Sequence, residues 1–131
     1  MNSQSARKTI LIVDDDPTIR AMLATKLDES YDVLMASDGV DAAHVYERNL
    51  ENIAAILTEL HMPRLDGQSL AEWVHHISPH LPIIIMSGST RREDMADFSR
   101  RPQTSFLGKP FESSQLKALL RDALQAGEEA I

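Results

Sequence analysis

Three carboxylates in a row, Asp14-Asp15-Asp16, follow directly on four apolar residues, Ile10-Leu11-Ile12-Val13, and Pro17 comes next. Asp16-Pro17 reads as a helix start, with a capping side chain and a ring already fixed near helical φ. That leaves Asp14 and Asp15 on the turn at a strand's carboxyl end. Neighbouring carboxylates repel unless a cation sits between them or they share a proton. An oxygen-only ligand set favours Mg²⁺ or Ca²⁺ over zinc. Three further groups stand at comparable places. Glu59 follows the apolar run Ile53–Leu57, Ser87 follows Ile83-Ile84-Ile85-Met86, and Lys109 precedes Pro110-Phe111. Two acids, a third acid, a hydroxyl and an ammonium would together make an acidic, metal-linked site, provided the fold brings them to one rim.

The elements that must position them alternate as strand and helix about every 25 residues, the βα rhythm of a parallel sheet. Strands are predicted over 10–13, 31–36, 53–57, 83–86 and 104–107. The first and fourth are apolar throughout, as in strands buried on both faces. The second and fifth are less apolar and belong at edges. Helical stripes fall at Ile19, Met22, Leu23 and Leu27; at Val40, Ala43 and Tyr46; and at Leu70, Trp73, Val74 and Ile77. A fourth, charged helix is expected over 90–101. Leu116, Leu119, Leu120, Ala123 and Leu124 form the most regular stripe, at i, i+3, i+4, i+7 and i+8. Right-handed crossovers then favour a doubly wound sheet of order 2-1-3-4-5. Its switch point lies between strands one and three, where ligands bind in open α/β sheets. Asp14, Asp15 and Glu59 meet there, with Ser87 and Lys109 on the neighbouring strand ends.

Composition sets the outer bounds. The 131 residues suffice for one domain with a real core. A net charge of −7 argues against a dedicated nucleic-acid or membrane surface. Cysteine is absent, which excludes disulfides and thiolate chemistry and fits a reducing compartment. No apolar run reaches the ~18 residues of a membrane span, and the start, 1–8, lacks the apolar centre of a signal peptide. A cytoplasmic protein is the expectation. The histidines, His44, His61, His75, His76 and His80, show no zinc-binding spacing. We expect a flexible stretch over 1–8, a domain over 9–126 and a frayed end over 127–131.

The motifs together resemble the receiver domain of bacterial two-component response regulators over nearly the whole chain. The matching strings are Ile10-Leu11-Ile12-Val13-Asp14-Asp15-Asp16-Pro17, Met62-Pro63-Arg64-Leu65-Asp66-Gly67, Ser87-Gly88 after an apolar strand, and Lys109-Pro110-Phe111. Each string is weak alone, but four in this order are specific. The resemblance implies a three-layer, flavodoxin-like (βα)5 fold. It also implies a signalling role, with a histidine kinase or other signalling protein as partner. Asp14 and Asp15 would help to hold Mg²⁺, together with Glu59. Ser87 and Lys109 would contact a phosphoryl group and relay its presence. The Lys109-Pro110 bond becomes a candidate for the cis form, and the fourth helix, fifth strand and fifth helix become a surface for docking or homodimerisation.

One position departs from the family pattern. Three residues before Met62-Pro63, where the family carries its phospho-accepting aspartate, stands Glu59. Its carboxylate reaches about 1.5 Å further, one bond length. A misplacement near 1 Å can cost about 10²-fold in a transfer that depends on alignment. The expectation is a domain whose phosphorylation is altered or replaced. Glu59 would either imitate a phosphoaspartate beside Lys109 and Ser87, or pair with Lys109 in an inert pseudo-receiver that serves as a docking scaffold. A reading of another class is a phosphatase of the haloacid-dehalogenase type, with Asp14 as nucleophile and Ser87 and Lys109 as its later motifs. That enzyme also needs an acidic pair at a later strand end, and Glu112, Asp122, Glu128 and Glu129 do not end strands.

Overall fold

The computed structural model describes residues 7–88 and 103–129 of the chain. Five strands, β1 (Thr9–Val13), β2 (Asp32–Ala36), β3 (Ile53–Glu59), β4 (Ile83–Ser87) and β5 (Thr104–Gly108), form one sheet of order β2-β1-β3-β4-β5. Every neighbouring pair is parallel. This is the order the crossover rule predicts, with the two least apolar strands at the edges. Helices α1 (Pro17–Leu27), α2 (Gly39–Arg48), α3 (Gly67–Ile77) and α4 (Ser113–Glu129) cover the two faces. The helix expected over 90–101 lies outside the described residues, as do 1–6.

The period of two along each strand divides the core. Leu11, Val13, Ile56, Ile83 and Ile85 point to the side of α2 and α3, where they meet Ala42, Tyr46, Leu70 and Val74. Ile10, Ile12, Leu57, Ile84 and Met86 point to the other side, against Leu23 and Leu27 of α1 and Leu116, Leu120 and Leu124 of α4. Each of these leucines contributes about 1.5–3 kcal/mol by leaving water. The helical stripes differ from expectation at their margins. On α2 the fully buried positions are Ala42 and Tyr46, one step from the predicted Ala43. Met22 and Ile77, at the edges of their stripes, are exposed. On α3, Trp73 lies edge-on to Tyr46, with ring centroids 5.6 Å apart.

Three helix starts follow from side-chain caps. Asp16 Oδ1 accepts the Thr18 N–H at 2.8 Å, Asp38 Oδ1 accepts that of Asp41 at 2.8 Å, and Asp66 Oδ1 accepts that of Ser69 at 2.7 Å. Helix α4 runs through Gly127 to Glu129, past the end at 126 read from sequence. Gly127 is buried there, and a side chain on it would overlap the Pro82 ring. Arg7 and Lys8, read as part of a flexible start, are tethered. Arg7 pairs with Asp32 at 3.3 Å and Lys8 with Glu128.

Candidate functional site

The register of the sheet assembles the site. Val13 is opposite Thr58, so the next residues, Asp14 and Glu59, follow side by side at the β1–β3 boundary. Ser87 is opposite Gly108 on β5, and its carbonyl accepts the Lys109 N–H at 2.8 Å, which fixes the chain as it leaves the sheet. Lys109-Pro110 is a cis peptide, as the motif suggested.

The two leading acids, read as a matched pair, have different surroundings. Asp14 is 1% exposed, whereas Asp15 is open to solvent. Asp14 Oδ1 accepts the Asp16 N–H at 2.9 Å, and its carbonyl oxygen accepts Arg20 Nη1 at 2.6 Å. Asp14 Oδ2 is buried with no hydrogen-bond donor and lies 3.9 Å from Lys109 Nζ. Burial pushes the Asp14 carboxyl above the ordinary aspartate value, and the negative Glu59 and Asp15 push the same way. The Asp16 N–H and the Lys109 ammonium offset part of this rise.

Glu59 is nearly buried and fully engaged. Its Oε1 takes the Lys109 ammonium. Its Oε2 accepts two backbone N–H groups, from Leu60 at 2.8 Å and His61 at 3.2 Å. An ammonium and two amides on one carboxylate fix its orientation, with one oxygen on the lysine that follows β5. Ser87, at the end of β4, is fully buried beside this group. The sheet therefore brings Asp14, Glu59, Ser87 and Lys109 to one rim, with Asp15 at its solvent edge.

A cation fits this donor set only in part. The buried, donor-less Asp14 Oδ2 suits a positive charge, and Asp15 stands next to it. Glu59, expected as the third ligand, has both oxygens taken by Lys109 and the backbone. Among the described residues no three His, Cys, Asp or Glu side chains are gathered closely enough to hold a metal ion.

Two residues beside the site were not singled out by sequence. Asp38, at the start of α2, forms a forked ion pair with Arg64 of the β3–α3 loop: Arg64 Nε to Asp38 Oδ2 at 2.8 Å and Nη2 to Oδ1 at 2.9 Å. Arg64 holds φ 70°, a left-handed conformation that costs a side-chain-bearing residue about 1 kcal/mol or more. The Asp41 N–H and the Arg64 guanidinium hold the Asp38 carboxyl below its usual value. No spacing rule links residues 38 and 64, and the positive φ is invisible in an arginine codeword, so only the contact reveals them.

A doubly wound sheet with an acidic, lysine-capped crevice at its β1/β3 switch point defines the flavodoxin-like class of α/β domain, in the form found in receivers. Residues 10–121 match the family described as the response regulator receiver domain, and the chain belongs to that family. Among curated relatives, it is 30% identical over 117 residues to the transcriptional regulatory protein GlrR of Escherichia coli, covering 88% of this chain and 26% of that protein. It is 32% identical over 112 residues to the sensor histidine kinase RcsC of Salmonella typhi, covering 85% and 12%. The chemotaxis protein CheY4 of Vibrio cholerae superimposes with a TM-score of 0.80 at 27% identity, covering 89% of this chain and 98% of that one. A receiver domain protein of Clostridium thermocellum gives 0.86 at 23% identity, covering 95% and 99%, and so attests the fold. Across the curated relatives named here, the chain spans about a quarter of the length or less.

Receiver domains are signalling modules of two-component phosphorelays that interact with histidine kinases and other signalling proteins, and they generally bind Mg²⁺ where they are phosphorylated. The family match does not favour the phosphatase reading with Asp14 as nucleophile. Among the described residues no helix is long and apolar enough to cross a membrane.

Proposed function

We propose that this chain is a cytoplasmic receiver module in which Glu59 stands at the phosphoacceptor position, so that its signalling state does not depend on ordinary aspartate phosphorylation. The observation that carries this reading is the Glu59 carboxylate itself. One oxygen lies on the Lys109 ammonium and the other on two backbone N–H groups. A charge set there occupies the lysine that would otherwise meet a phosphoryl oxygen, and leaves no free carboxylate oxygen for in-line attack. Glu59 thereby acts as a built-in anion and imitates phosphoaspartate. In the competing reading the same ion pair marks an inert docking scaffold.

Asp14 and Asp15 are the residues that would hold Mg²⁺, which supplies positive charge beside an anionic group when bound. Glu59 would not join them while Lys109 covers it. The partner is a histidine kinase or another signalling protein. A homodimer through the segment 90–101, β5 and α4 is the self-association to look for.

Incubation of the parent and of Glu59→Asp with a small-molecule phosphodonor and Mg²⁺, followed by intact mass measurement, tests the reading. The variant gains about 80 Da, one phosphoryl group, and the parent does not. Equal uptake by both overturns it. Mimicry and inertness separate in Glu59→Gln, which changes self-association or partner binding only if the charge is the signal.

A further inference from the structure

The loop that follows Glu59 is fastened at two places. At its root, the Gly67 N–H donates to the Leu60 carbonyl at 2.8 Å, and a Cβ on Gly67 would overlap the Glu59 carbonyl oxygen. Residues 60–67 thus close into a ring seated on the end of β3. At its tip, Arg64 reaches the first residues of α2. The fork of its guanidinium on Asp38 is one contact. The other is backbone: the Leu65 carbonyl oxygen lies where a side chain on residue 39 would be, so Gly39 alone admits this approach. Arg64 keeps its left-handed φ of 70° in spite of its side chain, and such conformations persist only where the surroundings impose them. The Leu65 N–H bonds the Pro63 carbonyl at 2.8 Å across Arg64, and the Asp38 carboxylate, itself largely buried, holds the guanidinium of the residue so turned.

The root of the same loop supplies the two N–H donors on Glu59 Oε2. The Leu60 N–H is shared with the Met86 carbonyl at 2.8 Å, so β4 also holds it. The His61 N–H donates to Glu59 Oε2 at 3.2 Å and is held through the loop itself. Whatever fixes the loop tip therefore decides whether His61 stays aimed at the carboxylate.

We infer that Arg64, anchored by Asp38, is a positioning residue for the Glu59 carboxylate, which makes the N-terminal end of α2 a second handle on the site. With the fork broken, the loop tip is no longer tied to the start of α2 and the His61 N–H leaves Oε2. Glu59 is then held mainly by Lys109. This extends the reading of Glu59 as the functional carboxylate. Even so, exchange at His61 reports the loop while phosphoryl uptake reports the acceptor, so either can fail without the other.

The test is amide hydrogen exchange and ¹⁵N and ¹³C NMR on the full chain, with Arg64→Ala, Arg64→Gly, Arg64→Lys and Asp38→Asn. Glycine accepts the positive φ without strain, and asparagine still caps α2. Both variants therefore keep the melting temperature within about 3 °C of the parent. The expected result is that His61 exchange rises about tenfold or more in Arg64→Gly and Asp38→Asn relative to amides of β1 and β4. The Glu59 carboxyl carbon resonance should move in step, and Arg64→Lys should recover part of the protection. A purely structural role for the ion pair would alter exchange throughout the domain or not at all. Unchanged His61 protection in Arg64→Gly and Asp38→Asn, or a rise matched by β1 and β4, overturns the inference.

Discussion

The two ends of the sheet carry similar charges in opposite settings. At the carboxyl end, Asp14, Glu59 and Lys109 interlock with little access to water, and a buried oxygen of Asp14 has no donor. At the amino end, Arg7 meets Asp32 and Lys8 meets Glu128, with side chains between 36 and 64% exposed. Water screens the second set and each pair is worth little, typically below 1 kcal/mol. The first set is screened far less, so each charge there depends on the others. The difference teaches where to look for function. An arrangement that costs stability by itself and yet is built in is a site, whereas one that costs nothing is a surface.

Three substitutions break or sharpen that contrast. The largest effect belongs to Lys109→Met, which strands the nearly buried Glu59 beside Asp14. Losing one member of a buried pair typically costs 3–5 kcal/mol. With the Lys109 side chain 26% exposed we expect about 2–3 kcal/mol in urea unfolding at neutral pH. A loss below about 0.5 kcal/mol would erase the distinction between the two ends.

Asp38→Asn should cost less, about 0.5–1 kcal/mol at neutral pH, because its Arg64 partner is 58% exposed. Its sharper signature is in acid. The Asp38 carboxyl is depressed in the folded chain, so its contribution is present above the ordinary value of 3.8 and fades as pH falls through the lower folded value. Stability measured from pH 5 downward should therefore fall less steeply in the asparagine variant than in the parent. Lys8→Ala is the smallest, under about 0.5 kcal/mol and further reduced by salt. Thermal melts at low and high ionic strength would show it.

The fold was legible because it depends on patterns that repeat along the chain. The all-apolar runs at Ile10 and Ile83, the period of Leu116 to Leu124 and the crossover rule sufficed for the strand order. The convergence of Asp14, Glu59, Ser87 and Lys109 followed from that order alone. What sequence left out depends on single contacts. Asp14 and Asp15 are the same residue type in adjacent positions, and only the pleat decides which of them is buried. Met22 sits at the margin of its stripe, where a few degrees of helix rotation expose it. Glu59 was a suitable cation ligand by type, but its oxygens were already claimed by an ammonium and two amides, which no spacing rule foresees. Asp38 and Arg64 lie 26 residues apart, and nothing in either stretch of sequence points to the other.

The edge-on contact between Trp73 and Tyr46 has a practical consequence. Trp73 is the chain's sole tryptophan, and its neighbour belongs to α2, the helix that Asp38 caps. Indole emission therefore comes from one place only, the seam between α2 and α3. Its intensity or lifetime gives a label-free optical gauge of whether that seam shifts when a partner protein arrives, with no dye and no engineered probe.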